Sequence, residues 1–241
     1  MDDLLAGVLK AHGGRENWAT VAGLSAELSV DGPFWDWRGR PSIRRPQTLT
    51  VAADRQRATL SPFTSDGLTA TWEPSRVTIA DASGAVVADR ADPLASFPAY
   101  HDAVTWDDVQ LATFMGTANW AYFTEPFLFT YPGVVAAEIE PWQEGDQTWR
   151  RLAVTFPPSL PNHNPDQVFH YGDDLLLRRM DYSPVVTGSS PIAHYVSDPV
   201  TVDGLVFYRK RDVHLRDAAG VANKDFAPIT LRVGKIAVTR N

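Results

Sequence analysis

Short runs of alternating apolar and polar residues, separated by turn residues, fill most of this 241-residue chain. In residues 24–30, LSAELSV, every second residue is apolar and the run ends at Asp31-Gly32. Alternation with a period of two is typical of a half-buried β-strand. Similar runs, bounded by Asp, Gly, Pro and Ser, predict strands at 47–53, 55–61, 67–73, 75–80, 85–89, 134–140, 148–156, 167–171, 175–182, 194–203, 205–215 and 229–239. Within the last of these, Gly234 indicates a bulge or bend. The chain is therefore predicted to be mainly β, as an antiparallel meander.

Two helical segments interrupt this pattern. The first has apolar residues on one helix face and ends at Gly13-Gly14, with a short helical turn after it over 16–21. The second is predicted over 106–123, with Thr105 as its N-cap and Leu111 on its buried face.

A flat sheet of this size would expose edges and apolar area. We therefore expect a strongly curved antiparallel sheet, an incomplete β-barrel, with the helices plugging its concave face. No linker or repeat divides the sequence, so residues 1–241 are predicted to form a single domain.

Composition and motifs exclude several classes of function. The net charge of −7 argues against a nucleic-acid partner, and no apolar run approaches the roughly 18–20 residues of a transmembrane segment. The absence of cysteine excludes disulfides, thiolate metal sites and a cysteine nucleophile. No phosphate-binding loop, nucleophile elbow or metal-ligand spacing is found, so neither a cofactor nor a metal site is predicted. Asp2 and Asp3 stand where a secretory signal would be basic, so we expect a cytoplasmic protein.

The aromatic content suggests a ligand pocket. Eight Trp, eleven Phe and seven Tyr are many for this length, and they concentrate in 114–131 and 32–41. If the helix does not fill the curved sheet, these rings line an apolar cavity. The alternative is that the aromatic helix is only part of a solid core. Trp120, Phe123 and Phe127 are expected to line the cavity, and the remaining candidate ligand contacts in this part of the chain are Trp35, Trp37, His101 and Phe114.

Polar residues that could carry chemistry follow the central helix. His163 lies in a Pro-rich loop, Tyr182 ends one predicted strand and His194 begins the next. Because consecutive antiparallel strands usually pair, we expect the three side chains to converge at one rim of the cavity. Two His and one Tyr would supply a base, an acid and an oxyanion donor. The alternative is structural, with His163 capping its loop and Tyr182 an ordinary strand residue.

Two further residues on these strands are candidate ligand contacts. Arg179 shares one strand face with Asp181, whereas Arg178 and Tyr182 lie on the other. Tyr195 follows His194 at the start of the next strand. The alternative interpretation is that Arg179 is paired with a carboxylate and needs no ligand.

Several segments resemble a known superfamily. The opening AHGGRENWATVAGLSAELSVDG combines a short helix, a Gly-Gly stop and a first strand ending at Gly, and DGLVFYRKRDVHL (203–215) is a strand that begins Asp-Gly and runs to basic residues. Both resemble outer-membrane lipoprotein-sorting (LolA/LolB-like) proteins, which usually carry Pro where this chain has Tyr208. The resemblance implies an unclosed β-barrel with helices across its mouth and an apolar cavity, and secreted members carry acyl chains or lipoproteins. The block beginning FTYPGVVAAEIEPW resembles uncharacterised bacterial proteins, so we expect a cytoplasmic bacterial branch of this superfamily.

Two functions of different classes follow. The first is a cytoplasmic protein that binds a bulky hydrophobic small molecule, such as a lipid, a polyketide or a terpenoid, in the half-barrel cavity. The second is a cofactor-independent enzyme, a cyclase, isomerase or hydrolase, that acts on such a molecule with His163, Tyr182 and His194 as acid–base groups. A purely structural or interaction protein is disfavoured by the aromatic content.

Overall fold

A computed structural model describes residues 3–241 of the chain, so Met1 and Asp2, which begin the predicted domain, lie outside the described residues. The described residues form thirteen strands in one antiparallel sheet. In chain order, the strands are β1 (Val21–Asp31), β2 (Gln47–Ala52), β3 (Ala58–Ser61), β4 (Thr69–Glu73), β5 (Arg76–Ala80), β6 (Val86–Ala91), β7 (Val135–Glu144), β8 (Gln147–Thr155), β9 (Asp166–Tyr171), β10 (Leu177–Tyr182), β11 (Ile192–Val202), β12 (Leu205–Leu215) and β13 (Ile229–Arg240).

The strand order explains why the sheet stays open. It runs β6-β5-β4-β3-β2-β1-β13-β12-β11-β10-β9-β8-β7, so the first and last strands pair in its interior. Within residues 3–241, β6 and β7 form the two edges and are not hydrogen-bonded to each other. The prediction of a mainly β, antiparallel, incomplete barrel is confirmed.

The bulge predicted at Gly234 is also present. Ala26 pairs with Ile236 and Leu28 pairs with Val233, so two residues of β13 lie opposite Glu27 alone. This two-against-one arrangement is a β-bulge.

Helices occupy the ends and the concave side of the sheet. The described residues contain four α-helices: α1 (Asp3–Ala11), α2 (Arg15–Trp18), α3 (Phe34–Trp37) and α4 (Asp108–Thr124). Single 3₁₀ turns lie at Pro41–Ile43, Pro93–Ser96, Phe127–Thr130 and Val185–Thr187. The apolar face predicted for α1 is buried. The sequence did not predict α3, because a Gly-Pro pair precedes only four helical residues.

Helix α4 packs against β2 to β6 and follows the chain segment that leaves edge strand β6. Its N-cap is Asp107 and not Thr105, as the sequence had predicted. The Asp107 carboxylate accepts a hydrogen bond from Gln110 N, and Gln110 Oε1 accepts one from Asp107 N, each at 2.8 Å. This reciprocal capping box satisfies two backbone donors, which a Thr two residues earlier could not reach. Leu111 is fully buried, as predicted.

Candidate ligand-binding site

A cavity of about 940 Å³ lies beside the N-terminal half of α4. It is bounded by segment 92–100, by residues of α4, by the β8–β9 loop (156–165) and by Val185 and Val186. We call it the main cavity. Its wall is mostly apolar, with Asp92, Thr113, Thr117 and Asn162 as polar members besides Tyr100 and His163.

The segment that forms one wall is anchored at both ends. Arg90 donates hydrogen bonds to Ser96 Oγ at 3.2 Å and to Asp107 Oδ2 at 2.6 Å. Gln110 Nε2 donates to the Ser96 carbonyl at 2.7 Å, and the buried Arg38 guanidinium donates to the Val104 carbonyl at 2.7 Å. These contacts hold residues 92–106 over the sheet although this segment contains only one 3₁₀ turn.

His163 is the least exposed titratable residue that lines the main cavity. Its backbone is fixed by Asn162 Oδ1, which accepts from His163 N at 2.8 Å. Its ring lies between Phe114, at a centroid distance of 4.6 Å, and Tyr182, at 6.2 Å. The Nε2 atom is buried and has no hydrogen-bond partner among residues 3–241. Burial lowers the pKa of His163 to about 4, so the ring is neutral at pH 7.

The three residues proposed for acid–base chemistry come together behind this ring. The Tyr182 hydroxyl lies 3.1 Å from His194 Nδ1 and 3.1 Å from the Tyr122 hydroxyl. Of the three, His163 alone lines the main cavity. Tyr182 borders two small voids of about 10 and 30 Å³, the first together with His163 and the second together with His194. Burial raises the pKa of Tyr182 well above its ordinary value, and burial together with nearby Arg211 lowers that of His194. Both groups are therefore neutral around pH 7.

A buried ion pair supports this polar cluster. Arg211 Nη2 lies 2.5 Å from Glu125 Oε1, and the guanidinium stacks over the Tyr122 ring at 4.3 Å. Burial raises the pKa of Glu125, and the attraction of Arg211 opposes that rise. The sequence did not predict this pair. The signal available was that Arg211 stands two residues before Val213, on an apolar face of its strand.

The structure corrects the predicted position of the pocket. Trp120, Phe123 and Phe127 do not line the main cavity. The Trp120 indole donates to the carbonyls of Ala52 and Arg55, Phe123 packs on Phe207, and Phe127 stacks on Trp18 at 4.6 Å. These rings fill the core at the C-terminal end of α4, whereas the cavity lies at its N-terminal half.

Of the remaining predicted aromatic contacts, some lie at the main cavity and others lie away from it. Phe114 lines the main cavity, and Trp35 is buried beside it and lines the void of about 30 Å³. Trp37 is 44% exposed and packs on Phe226, away from the cavity. His101 is exposed and does not line the cavity, although its neighbour Tyr100 does.

Arg179 and Tyr195, predicted as ligand contacts, do not line the main cavity and belong to a different cluster. The Arg179 side chain is fully buried and donates to Asp181, to Glu144 and to the Gly220 carbonyl. The Tyr195 hydroxyl donates to Glu144 Oε1 at 2.7 Å. The loop between β12 and β13 covers this cluster on the face opposite Met180 and Tyr182. The alternative interpretation, that Arg179 is paired with a carboxylate, describes what is observed.

Two other kinds of functional feature, a metal site and a membrane-spanning helix, are absent from the described residues. In residues 3–241, no group of three or more His, Asp or Glu side chains is placed to hold a metal ion. No helix in this part of the chain combines the length and apolar character needed to cross a bilayer.

Comparison with known proteins identifies solved structures that share this fold. No family model matches the sequence, and no curated protein matches it. A structure described as an outer membrane lipoprotein-sorting protein domain from Vibrio parahaemolyticus covers 98% of this chain and 91% of its own, at 9% identity and a TM-score of 0.56. A LolA superfamily protein from Nitrosomonas europaea covers 98% and 93%, at 8% identity and a TM-score of 0.53. A DUF1329 family protein from Desulfovibrio piger covers 99% and 94%, at 11% identity and a TM-score of 0.50. The chain thus has the LolA-like fold over nearly its whole length, as its opening segment and residues 203–215 had predicted.

Proposed function

We propose that this protein binds a bulky hydrophobic small molecule in the main cavity and does not transform it. The observation that carries the proposal is an apolar cavity of about 940 Å³ in a LolA-like half-barrel. Ligand pockets typically measure about 300–1,000 Å³ and are mostly apolar with a few placed polar groups. Lipids, polyketides and terpenoids are the candidate classes, and lipids gain support from the lipoprotein-sorting description of the Vibrio parahaemolyticus structure.

The apolar wall favours binding for a physical reason. Residues such as Leu94, Leu160 and Val186 border the cavity, and transferring a ligand's apolar surface from water onto them is favourable by about 25 cal/mol per Å². Asp92 and Tyr100 are exposed at the cavity's rim, so charged or hydrated parts of a ligand can remain in water there.

The cofactor-independent enzyme remains the second candidate, favoured by the contact between Tyr182 and His194 beside His163. Two facts weaken it. A ligand in the main cavity touches only His163, since Tyr182 and His194 lie beneath that ring. Burial also raises the pKa of the Tyr182 hydroxyl well above its ordinary value, which makes it a weak proton donor near pH 7.

A saturation experiment tests binding. Purified protein is titrated with N-phenyl-1-naphthylamine, a neutral probe whose fluorescence rises in apolar sites. We expect one saturable site per chain. Leu160→Trp, which places a large ring inside the cavity, should weaken binding at least tenfold. The matched control Leu215→Trp adds the same side chain at a position that is 43% exposed and does not line the cavity, and it should change nothing. Absence of saturable binding, or equal effects of the two substitutions, contradicts the proposal.

The same preparation separates the two functions. Mass spectrometry of denatured protein purified from cells identifies the bound molecule, which is then returned to fresh protein and recovered after incubation. Recovery of the unchanged molecule supports a binding protein. A new product that disappears in His163→Phe supports the enzyme.

The proposal includes a cytoplasmic location and membership of a cytoplasmic bacterial branch of the LolA-like proteins. Fractionation of cells that produce the protein from its complete gene checks the location. Recovery outside the cytoplasm contradicts this part of the proposal and leaves the ligand-binding part standing.

A further inference from the structure

The wall of the main cavity is rich in side chains with few rotatable bonds. Twelve of its 22 lining residues are prolines or carry an aromatic ring, and none is Met or Ile. The prolines are Pro74, Pro98, Pro157, Pro158, Pro161 and Pro165, and the rings are Trp72, Phe97, Tyr100, Phe114, Phe156 and His163. A proline ring does not rotate about side-chain bonds, and an aromatic side chain has two torsions. Sites that mould themselves around flexible ligands instead use adaptable side chains such as Met.

Neighbouring rings hold the aromatic members in place. Phe97 meets Trp106 edge to face at a centroid distance of 5.3 Å. Phe114 is packed by Trp106 at 5.1 Å, by Phe34 at 5.4 Å and by His163 at 4.6 Å. The cavity therefore presents fixed, flat, apolar faces. Such faces gain most from a flat unsaturated partner, because aromatic pairs add stacking or edge-to-face attraction to simple burial.

The deep part of the main cavity offers hydrogen bonding without charge. Its titratable lining residues are Asp92, Tyr100 and His163, of which the first two are exposed. The His163 ring is neutral, so it carries one donor nitrogen and one acceptor nitrogen. The buried cation below it, Arg211, is already paired with Glu125. A charged group on the deep end of a ligand would find no counter-charge there.

We propose that the main cavity takes a planar, uncharged, unsaturated ring system with one oxygen function, such as a phenol, quinone or ketone, that hydrogen-bonds to His163, in preference to a saturated acyl chain. This inference rests on the proposed hydrophobic-ligand function and narrows it. Flatness is selected by the proline and aromatic walls, and the oxygen function by the imidazole at their deep end.

Three probes test it by displacing N-phenyl-1-naphthylamine from the unmodified protein. Pyrene is flat and apolar, 1-hydroxypyrene adds one hydroxyl, and 1-hexadecanol carries the same hydroxyl on a saturated chain. We expect 1-hydroxypyrene to bind at least tenfold more tightly than 1-hexadecanol. We also expect it to bind about 3–10-fold more tightly than pyrene, the range of one net hydrogen bond.

The variant His163→Phe keeps a ring between Phe114 and Tyr182 but removes both nitrogens. We expect pyrene to bind it as it binds the unmodified protein, and the preference for 1-hydroxypyrene to vanish. Trp37→Phe, a change at an exposed ring outside the cavity, should keep that preference. If the variant does not fold, the ranking of the three probes on the unmodified protein still decides the shape part.

The outcomes are distinguishable from failure of the proposed function. If 1-hexadecanol binds as tightly as 1-hydroxypyrene, the inference is overturned while hydrophobic binding stands. If the hydroxyl preference survives in His163→Phe, the role of His163 is overturned. If no probe saturates, the proposed function fails and this inference fails with it.

Discussion

At the scale of single residues, Tyr208 connects three parts of the fold. Its hydroxyl lies 2.8 Å from His12 Nε2, just beyond the end of α1, and accepts a hydrogen bond from the backbone N–H of Leu177 in β10 at 2.7 Å. His12 Nδ1 lies 2.8 Å from the Val8 carbonyl, so Nδ1 carries the proton and Nε2 accepts from Tyr208. Burial raises the pKa of Tyr208 and lowers that of His12 to about 4, which keeps both groups neutral.

Replacing Tyr208 by Phe should therefore destabilise the protein by about 2–6 kcal/mol. The substitution keeps the ring but leaves His12 Nε2 and the Leu177 N–H buried without partners, at about 1–3 kcal/mol each. Urea unfolding followed by Trp fluorescence measures the change. Tyr100→Phe removes a hydroxyl from a 40% exposed ring and should shift stability by less than about 0.5 kcal/mol. Equal losses in the two variants would show that the Tyr208 hydrogen bonds do not contribute.

At the scale of elements, helix α4 lies close against the sheet at Gly116. A methyl group built there would lie 2.5 Å from Cγ of Trp72 in β4 and would also overlap its Cβ. Helix propensity alone favours Ala over Gly by about 1 kcal/mol. The steric clash should outweigh this preference, because the added methyl group would overlap Cβ and Cγ of the buried Trp72 side chain rather than the movable end of a flexible side chain.

We accordingly expect Gly116→Ala to lower the free energy of unfolding by about 1–3 kcal/mol and to weaken probe binding, since Trp72 also lines the main cavity. Gly7→Ala in α1 is the matched control. Its added methyl would lie 2.7 Å from Cδ1 of Leu175, the movable end of a side chain. That variant should be neutral or stabilised. Thermal unfolding of both variants measures the two changes in stability. Stabilisation by Gly116→Ala would refute the close packing of α4 on β4.

The elements also show what the sequence could and could not predict. Alternation identified most strands, and consecutive strands pair, so β7 to β13 and β1 to β6 follow chain order in the sheet. The position of the cavity could not be predicted from α4. Of its 17 residues, 15 are buried, so no polar face distinguishes the side that packs on the sheet from the side that faces the cavity. Strand β10 poses a related problem. Alternation separates Arg179 from Tyr182, but both faces are buried, so it does not say which face is concave.

At the scale of the whole molecule, four histidines with lowered pKa values lie on separate elements. They are His12 after α1, His163 in the β8–β9 loop, His170 in β9 and His194 in β11. Burial lowers the pKa of His12 and His163 to about 4. Burial together with Arg179 and Arg151 lowers that of His170 to about 3, and burial together with Arg211 lowers that of His194 well below its ordinary value. The folded protein therefore holds these rings neutral at pH values where the unfolded chain protonates them.

The sign of the resulting pH dependence follows from linkage. Above the ordinary histidine pKa of about 6.5, both states are neutral and the full stability is present. As pH falls below 6.5, only the unfolded chain gains protons, so stability decreases until the folded pKa values near 4 are reached. Each buried histidine should cost ~2 kcal/mol by pH 5, from about 1.4 kcal/mol per pH unit. Glu125 and Asp181, whose pKa values burial raises, act in the opposite direction, because the folded protein takes up their protons at a higher pH than the unfolded chain does.

We expect the free energy of unfolding to fall by several kcal/mol between pH 7 and pH 5, a large share of the about 5–15 kcal/mol typical of a folded protein. Urea unfolding at half-unit pH steps measures the slope, which gives the number of protons taken up on unfolding. His163→Phe removes one of the four rings and should make the decline shallower by about a quarter. His101→Gln, a change at an exposed histidine, should leave the slope unchanged. A flat profile from pH 7 to pH 5, or equal slopes for His163→Phe and the unmodified protein, would mean that these rings are not held neutral by burial in the folded state.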